Sequence, residues 1–123
     1  KYQLNKKPFN YHLAYTYMVP KDISNNQYLS KRSKHKLNAE LDFIMNNHES
    51  ISFNIIGESS RKASPHSSIE LGSYFITNMN YNVKLDASSL NLSINNILDK
   101  SYRTSHNYNA PDRSVFITYS INY

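Results

Sequence analysis

Five histidines are the residues of this sequence best suited to metal or acid–base chemistry. They are His12, His35, His48, His66 and His106. No two of them have the helical spacing, with a neighbouring glutamate, that zinc proteases use. The sequence contains no cysteine, which excludes thiolate metal ligands and disulfides. We therefore predict neither a metal site nor a cofactor.

Serine and carboxylate chemistry is also poorly supported. Residues 64–68 are rich in serine, but no Gly-x-Ser-x-Gly sequence places a serine on the strained turn that hydrolases use. Glu40, Asp42 and Glu58 are carboxylates of the kind that do acid–base work in glycosidases. On the polar face of a sheet they pair more simply with a lysine such as Lys36. We predict that the protein is not an enzyme.

The elements that position these side chains follow a pattern of period two. Apolar and polar residues alternate in six segments, which predicts β-strands that each have one apolar face. The predicted strands span residues 9–19, 37–45, 51–58, 75–85, 90–98 and 115–123. In the first of them, Phe9, Tyr11, Leu13, Tyr15 and Tyr17 share a face opposite Asn10, His12 and Thr16.

Strand length and loop length both favour a membrane barrel. Most of the predicted strands are close to the roughly 9 to 11 residues that cross a bilayer at a tilt, whereas soluble strands average about 5 to 6. Two connections are short, at 46–49 and 86–89, and three are long, at 20–36, 59–71 and 99–113. Short turns at one end and long loops at the other are typical of outer-membrane barrels.

Composition narrows the class of protein further. With 39% hydrophobic residues, 11 tyrosines and 19% charged residues, the chain lacks the signature of disorder. The net charge is +5, yet apart from a cluster at 31–36 the cations are scattered, so nucleic-acid binding is not predicted. No apolar run approaches the length of a transmembrane helix, although a β-barrel carries its signal in alternation instead.

Alternation alone does not decide whether the apolar face points inward or toward lipid. Six strands are too few for a barrel with a filled or open lumen, since the smallest use about eight. Open sheet edges in lipid would leave unpaired backbone groups that cost several kcal/mol each. The sequence therefore requires further strands or partner chains, and because it begins at Lys1 without a signal peptide we interpret it as a fragment or processed product.

Three stretches of the sequence form a recognisable series. They are Tyr15–Tyr17 with the basic segment Lys31–Leu37, the segment Asn96–Tyr102, and Pro111–Arg113 before the last strand. Together they resemble the C-terminal region of TonB-dependent outer-membrane receptors of the vitamin and siderophore type. The second is similar to an Asn-Leu-Phe-Asp-Lys-x-Tyr motif. The sequence departs mildly from the family pattern at Ile97, Asp112 and Tyr123, where leucine, glycine and phenylalanine are usual.

The resemblance implies an all-β fold, an antiparallel up-and-down transmembrane β-barrel of about 22 strands with a plug inside. Residues 1–123 would supply about the last six strands, and the plug domain would be absent from them. The implied function is uptake of a scarce nutrient such as a siderophore or vitamin at the bacterial outer membrane. The implied partners are the lipid bilayer, the rest of the barrel and plug, TonB through the missing N-terminal part, and the barrel-assembly machinery.

The resemblance also assigns roles to individual residues. Asn96, Asp99, Tyr102, Pro111 and Arg113 are family motif residues, which we interpret as structural. Tyr119, Ile121 and Tyr123 form the terminal signal that barrel-assembly machinery would recognise, and the same residues also fit a lipid-facing strand.

Two alternatives stay open from the sequence. One is another outer-membrane barrel, porin-like or adhesin-like, which would lack a plug with a TonB box. The other is a soluble ligand-binding β-barrel with its apolar face inside, which would need no detergent.

Overall fold

The structure is a computed structural model that describes residues 8–64, 66 and 68–121. All regular secondary structure in these residues is β-strand. The strands are β1 (Phe9–Tyr17), β2 (His35–Ile44), β3 (Glu49–Glu58), β4 (Arg61–Lys62), β5 (Glu70–Leu71), β6 (Tyr74–Lys84), β7 (Ser88–Asn95), β8 (Arg103–Ser105), β9 (Tyr108–Asn109) and β10 (Ser114–Ile121). No helix in the described part of the chain is long and apolar enough to cross a membrane.

The six long strands form one antiparallel sheet. Their order is β1-β2-β3-β6-β7-β10, so each long strand pairs with the long strands that precede and follow it in sequence. This is the up-and-down arrangement predicted from the sequence, and the all-β fold class is confirmed. Among the described residues the sheet is not closed, because β1 pairs only with β2 and β10 only with β7.

Several strand ends differ from the predicted bounds for local reasons. The segment predicted over 90–98 ends at Asn95, because Asn96 adopts a left-handed φ of 52° that cannot continue a strand. The segment predicted over 9–19 ends at Tyr17, shortly before a proline that has no N–H to donate. The last predicted strand is described as far as Ile121, and residues 122 and 123 lie outside the described residues.

Cross-strand register separates the two faces of the sheet. Residues directly opposite each other in an antiparallel pair point to the same side. One continuous row across all six long strands consists of Tyr11, Leu41, Phe53, Met79, Ile94 and Val115. The neighbouring row consists of His12, Glu40, Asn54 and Asn78. We call the first side the apolar face and the second the polar face.

Amide side chains on the polar face hydrogen-bond to side chains of the neighbouring strands. Asn54 Nδ2 donates to Asn38 Oδ1 at 2.8 Å on adjacent strands β3 and β2. Asn91 Nδ2 donates to Asn82 Oδ1 at 2.6 Å, and the Ser93 hydroxyl donates to an Asn80 oxygen at the same distance. Side-chain hydrogen bonds between strands therefore reinforce the backbone ladder on this side.

The apolar face has no protein cover in the described residues. Tyr11, Leu13 and Ile117 expose 63%, 65% and 71% of their surface. The buried hydrophobic residues are instead Ala63, Leu71 and Ile76. Ile76 lies opposite Ile56, on the polar face, and the other two belong to the connection between β3 and β6. A continuous apolar surface of this extent marks a face that something else must cover.

The connections divide into two classes at opposite ends of the sheet. Residues 45–48 and 85–87 make tight turns between paired strands, at what we call the hairpin end. Residues 18–34, 59–73 and 96–113 make long connections at the other end, the loop end, and contain the four short strands. The short strands pair as β4 with β5 and β8 with β9, so two of the three loops carry small hairpins of their own.

Candidate functional site

The three long connections pack against one another at the loop end. The backbone N–H of Lys31 donates to the carbonyl of Lys62 at 2.8 Å, which joins the first loop to the second. Arg61 Nη2 donates to the carbonyl of Arg103 at 3.1 Å, which joins the second loop to the third. The rings of Tyr74 and Tyr102 lie 4.6 Å apart between centroids. The loops therefore form one unit above the sheet.

A charge cluster around the buried Arg61 lies at the base of that unit. The Glu58 carboxylate lies 3.4 Å from Arg61 Nη1 and 3.2 Å from Lys36 Nζ, and the Arg61 side chain is only 3% exposed. Ser33, which is fully buried, donates its hydroxyl to Glu58 at 3.4 Å. The Arg61 guanidinium also lies over the Tyr74 ring at 5.3 Å. Glu58 thus neutralises a guanidinium that connects two loops.

The geometry of that ion pair is imperfect. Arg61 Nη1 is buried and has no aligned hydrogen-bond acceptor, although it lies within ion-pair distance of Glu58. A buried cation in this position depends on the nearby carboxylate charge, because its desolvation is costly when the partner is removed.

Asn96 closes the turn that follows β7. The residue is 3% exposed and its φ is 52°, a conformation that asparagine tolerates better than most residues. The Asn96 amide oxygen accepts from the Lys100 N–H at 2.9 Å, and its amide nitrogen donates to the Lys100 carbonyl at 3.0 Å. The Asn96 N–H donates to Asn78 Oδ1 at 3.0 Å, which fixes the turn to β6.

The other predicted motif residues meet around the same turn. Asp99 also has a positive φ, and its carboxylate accepts from the Arg113 N–H at 2.9 Å and pairs with the Arg113 guanidinium at 3.5 Å. The Pro111 carbonyl accepts from the Asn96 amide at 3.5 Å. The Tyr102 ring packs at a tilt against the ring of Tyr74. All five residues are therefore brought together where the third loop leaves β7 and enters β10.

The remaining predicted residues lie elsewhere. Tyr119 and Ile121 belong to β10 near the hairpin end, on the apolar face, and are 59% and 53% exposed. Tyr123 lies outside the described residues. Within residues 8–64, 66 and 68–121, no group of three His, Asp or Glu side chains is placed to hold a metal ion.

A basic cluster around Tyr28 is a feature that the sequence did not reveal. The ammonium groups of Lys21, Lys34 and Lys62 lie 5.0, 5.4 and 5.8 Å from the centre of the Tyr28 ring. Lys34 belongs to the basic segment visible in the sequence, but Lys21 and Lys62 reach the ring only through the packing of the loops. We call these four residues the Tyr28 cluster.

A small hairpin-like turn presents Tyr28. Lys21 and Tyr28 form an antiparallel bridge, and the Leu29 N–H donates to the carbonyl of Pro20 at 2.7 Å. At the tip, hydrogen bonds from the Ser24 side chain and backbone hold the pKa of the Asp22 carboxyl below its usual value. The ionised carboxylate therefore stabilises the turn, and this contribution is lost as the pH falls through that lowered pKa.

Two cavities open on different sides of the loop end. The first has a volume of 280 Å³ and is lined by Tyr28, Arg32, Lys34, His35 and Lys62 among others. We call it the basic pocket. The second has a volume of 580 Å³ and is lined by polar-face residues such as Ile76, Asn78 and Asn96 together with Tyr74 and Tyr102. We call it the polar-face pocket.

Replacing Asn96 by alanine should destabilise the turn after β7. The substitution removes three side-chain hydrogen bonds, to the Lys100 N–H and to the carbonyls of Lys100 and Pro111, and places alanine at a positive φ, so we expect a loss of about 2 to 4 kcal/mol. Urea unfolding of the native protein that carries this chain measures it. Asn107→Ala is the matched control, because Asn107 has a φ of 64° and, within the described residues, no side-chain hydrogen bond. Equal losses for the two variants would contradict the structural role of the Asn96 side chain.

Replacing Glu58 by glutamine should loosen the loop unit. The change leaves the buried Arg61 without a counter-charge, and we expect a loss of about 3 kcal/mol and faster proteolysis between residues 59 and 73. Asp99→Asn is the control, because its ion pair with Arg113 is half-exposed and such pairs contribute about 1 kcal/mol or less. If Glu58→Gln costs no more than Asp99→Asn, the charge cluster does not hold the loops.

Known proteins of similar structure have the same kind of sheet. No protein-family model matches the chain. The siderophore receptor PirA from Acinetobacter baumannii is similar over 93% of the chain, with a TM-score of 0.76 and 20% identity. A mutant of the ferric enterobactin receptor PfeA from Pseudomonas aeruginosa, solved in complex with enterobactin, is similar over 92%, with a TM-score of 0.75 and 20% identity. The chain spans 20% of the length of each receptor. It thus has the fold of one segment of a siderophore receptor, as the resemblance in its sequence implied.

Proposed function

We propose that this chain forms the last six barrel strands of a TonB-dependent outer-membrane receptor that takes up a scarce nutrient, a siderophore or a vitamin. One observation carries the proposal: among residues 8–64, 66 and 68–121 nothing covers the apolar face of the sheet, while side chains of the polar face hydrogen-bond to one another. In a soluble barrel the apolar face would be the packed one. If lipid covers this face, its apolar side chains are no longer exposed to water.

The open edges of the sheet support a larger barrel. In the described residues β1 and β10 each have one unpaired edge, and in a bilayer each unpaired backbone group costs several kcal/mol. Strands supplied by the rest of a receptor would pair with both edges. The polar face would then line the lumen and face a plug, and TonB would be reached through the N-terminal part of such a receptor.

Aromatic residues fit a membrane at both ends of the apolar face. Tyr15 and Tyr17 lie at the loop end, whereas Phe9, Phe43 and Tyr119 lie toward the hairpin end. Tyrosine is enriched at both membrane–water interfaces because its ring is apolar and its hydroxyl is polar. With short turns on the periplasmic side, the loop unit would face the outside of the cell.

The chain would contribute to uptake mainly as a wall and as three surface loops. The polar-face pocket opens between Tyr74, Tyr102 and Asn96 at the outer end of the lumen side. A nutrient that enters from outside would pass these loops. The residues at the C-terminal end, Tyr119 and Ile121 with Tyr123, would be recognised by barrel-assembly machinery.

A charge introduced on the apolar face should block membrane assembly. We expect Leu41→Arg to abolish or strongly reduce the folded barrel, because an arginine on a mid-membrane lipid face costs roughly 2 to 4 kcal/mol. Asn54→Arg is the control on the polar face, where residue 54 lies opposite Glu40. Heat-modifiable mobility of the outer-membrane protein on electrophoresis measures assembly. Equal assembly of both variants would mean that the two faces are assigned the wrong way round.

The size and location of the native protein test the proposal directly. An antibody against residues 59–71 should detect a large band in detergent-extracted outer membranes, and the mobility of that band should change on boiling. Detection of a soluble protein near 14.3 kDa, the mass of this sequence alone, would overturn the proposal and favour a small β-domain.

A further inference from the structure

We infer that the basic pocket binds the phosphate-bearing headgroup of an anionic lipid in the membrane leaflet at the loop end. This inference rests on the proposed function, because it requires the apolar face to lie in a bilayer. It concerns the outer wall of the barrel, not the path of the nutrient.

The Tyr28 cluster concentrates positive charge in one place. Lys21, Lys34 and Lys62 surround one aromatic ring. Within the described part of the chain, none of these three lysines pairs with a carboxylate; the ion pairs there involve Lys36, Arg61 and Arg113. Like charges gathered in this way repel each other, and an anion that carries more than one negative charge would relieve the repulsion.

Neighbouring groups increase the positive charge of the pocket. Arg32 lines the pocket together with Lys34 and Lys62, and one carboxylate, Glu70, lines it as well. Arg61 also reaches it but is already neutralised by Glu58. The balance of the unpaired charges therefore favours an anion such as a phosphate group.

His35 connects the basic pocket to the apolar face. His35 lines the pocket, and its Nδ1 lies 2.7 Å from the hydroxyl of Tyr15, with which it shares a hydrogen bond. Its ring also lies 5.2 Å from that of Tyr17. Tyr15 and Tyr17 end the row of exposed apolar residues on β1. The pocket consequently begins where the apolar face ends, which is the level of lipid headgroups when the face is in a bilayer.

The lysines are separate from the polar-face pocket. No lysine lines that cavity, whose walls come from β3, β6, β7, β10 and the third loop. A dissolved anion held in the polar-face pocket would therefore not contact the Tyr28 cluster. A lipid would meet it, because its acyl chains would lie along Leu13 and Tyr11 while its headgroup reached the lysines.

Lipid retained by the purified protein tests the inference. The native protein that carries this chain would be extracted in mild detergent, incubated with lipid A, and assayed for bound lipid A by native mass spectrometry. We expect Lys34→Gln/Lys62→Gln to weaken lipid A binding roughly 25-fold, since each lysine near an anionic surface accounts for roughly fivefold. Lys84→Gln/Lys100→Gln removes the same charge away from the cluster and should leave binding unchanged.

Free phosphate and failure of the membrane proposal give different results. If sodium pyrophosphate raises the thermal midpoint of the protein as much as lipid A does, the pocket is a site for soluble anions and the lipid assignment is wrong. Unchanged lipid A binding by Lys34→Gln/Lys62→Gln, in a protein that still fractionates with the outer membrane, also overturns it. A protein found only in the soluble fraction would instead overturn the proposed function on which the inference rests.

Discussion

The antiparallel register of the six long strands is the constraint on which the rest of the structure depends. Since side chains alternate along a strand, a shift of one residue in any pair would move every apolar side chain of that strand to the polar face. The tight turns at the hairpin end help to fix this register. In the first, the Met45 N–H donates to the Glu49 carbonyl at 3.0 Å, and the His48 N–H donates to Asn46 Oδ1 at 2.8 Å. Local turn chemistry therefore determines which face of a whole sheet is apolar.

At the loop end, residues with a positive φ fix the path of the chain between two strands. Asn96 and Asp99 turn the chain away from β7, and their side chains hydrogen-bond to the backbone of the segment that returns to β10. The second loop is held differently, by Glu58 and Arg61, whose guanidinium reaches across to the third loop. The turn after β7 and the buried Arg61 after β3 thus both hold the loop unit together, although through different interactions.

The sequence predicted the sheet well and the loop unit poorly. Alternation identified six strands and the residues of each face because strand periodicity is local and repeats many times. The end of β7 was predicted too far along the chain because Ile97 and Leu98 are apolar, whereas a single left-handed asparagine before them stops the strand. The Tyr28 cluster could not be predicted, because Lys21 and Lys62 are distant in sequence and meet only after two loops pack. The basic segment before β2 was visible in the sequence. Nothing in it indicated that Lys34 would lie beside the same tyrosine ring as Lys21 and Lys62.

A low content of apolar residues follows from this architecture and does not argue against a stable fold. The sequence is 39% hydrophobic and its mean hydropathy is −0.66, values that would leave a globular domain of this size with a small core. A sheet that shows only one face to an apolar medium needs apolar residues at every second position and nowhere else. The other positions are free to carry asparagine and serine, which on β6 and β7 bind each other across the strands. The same composition that is insufficient for a packed interior would therefore be sufficient for the proposed wall between lipid and a polar lumen.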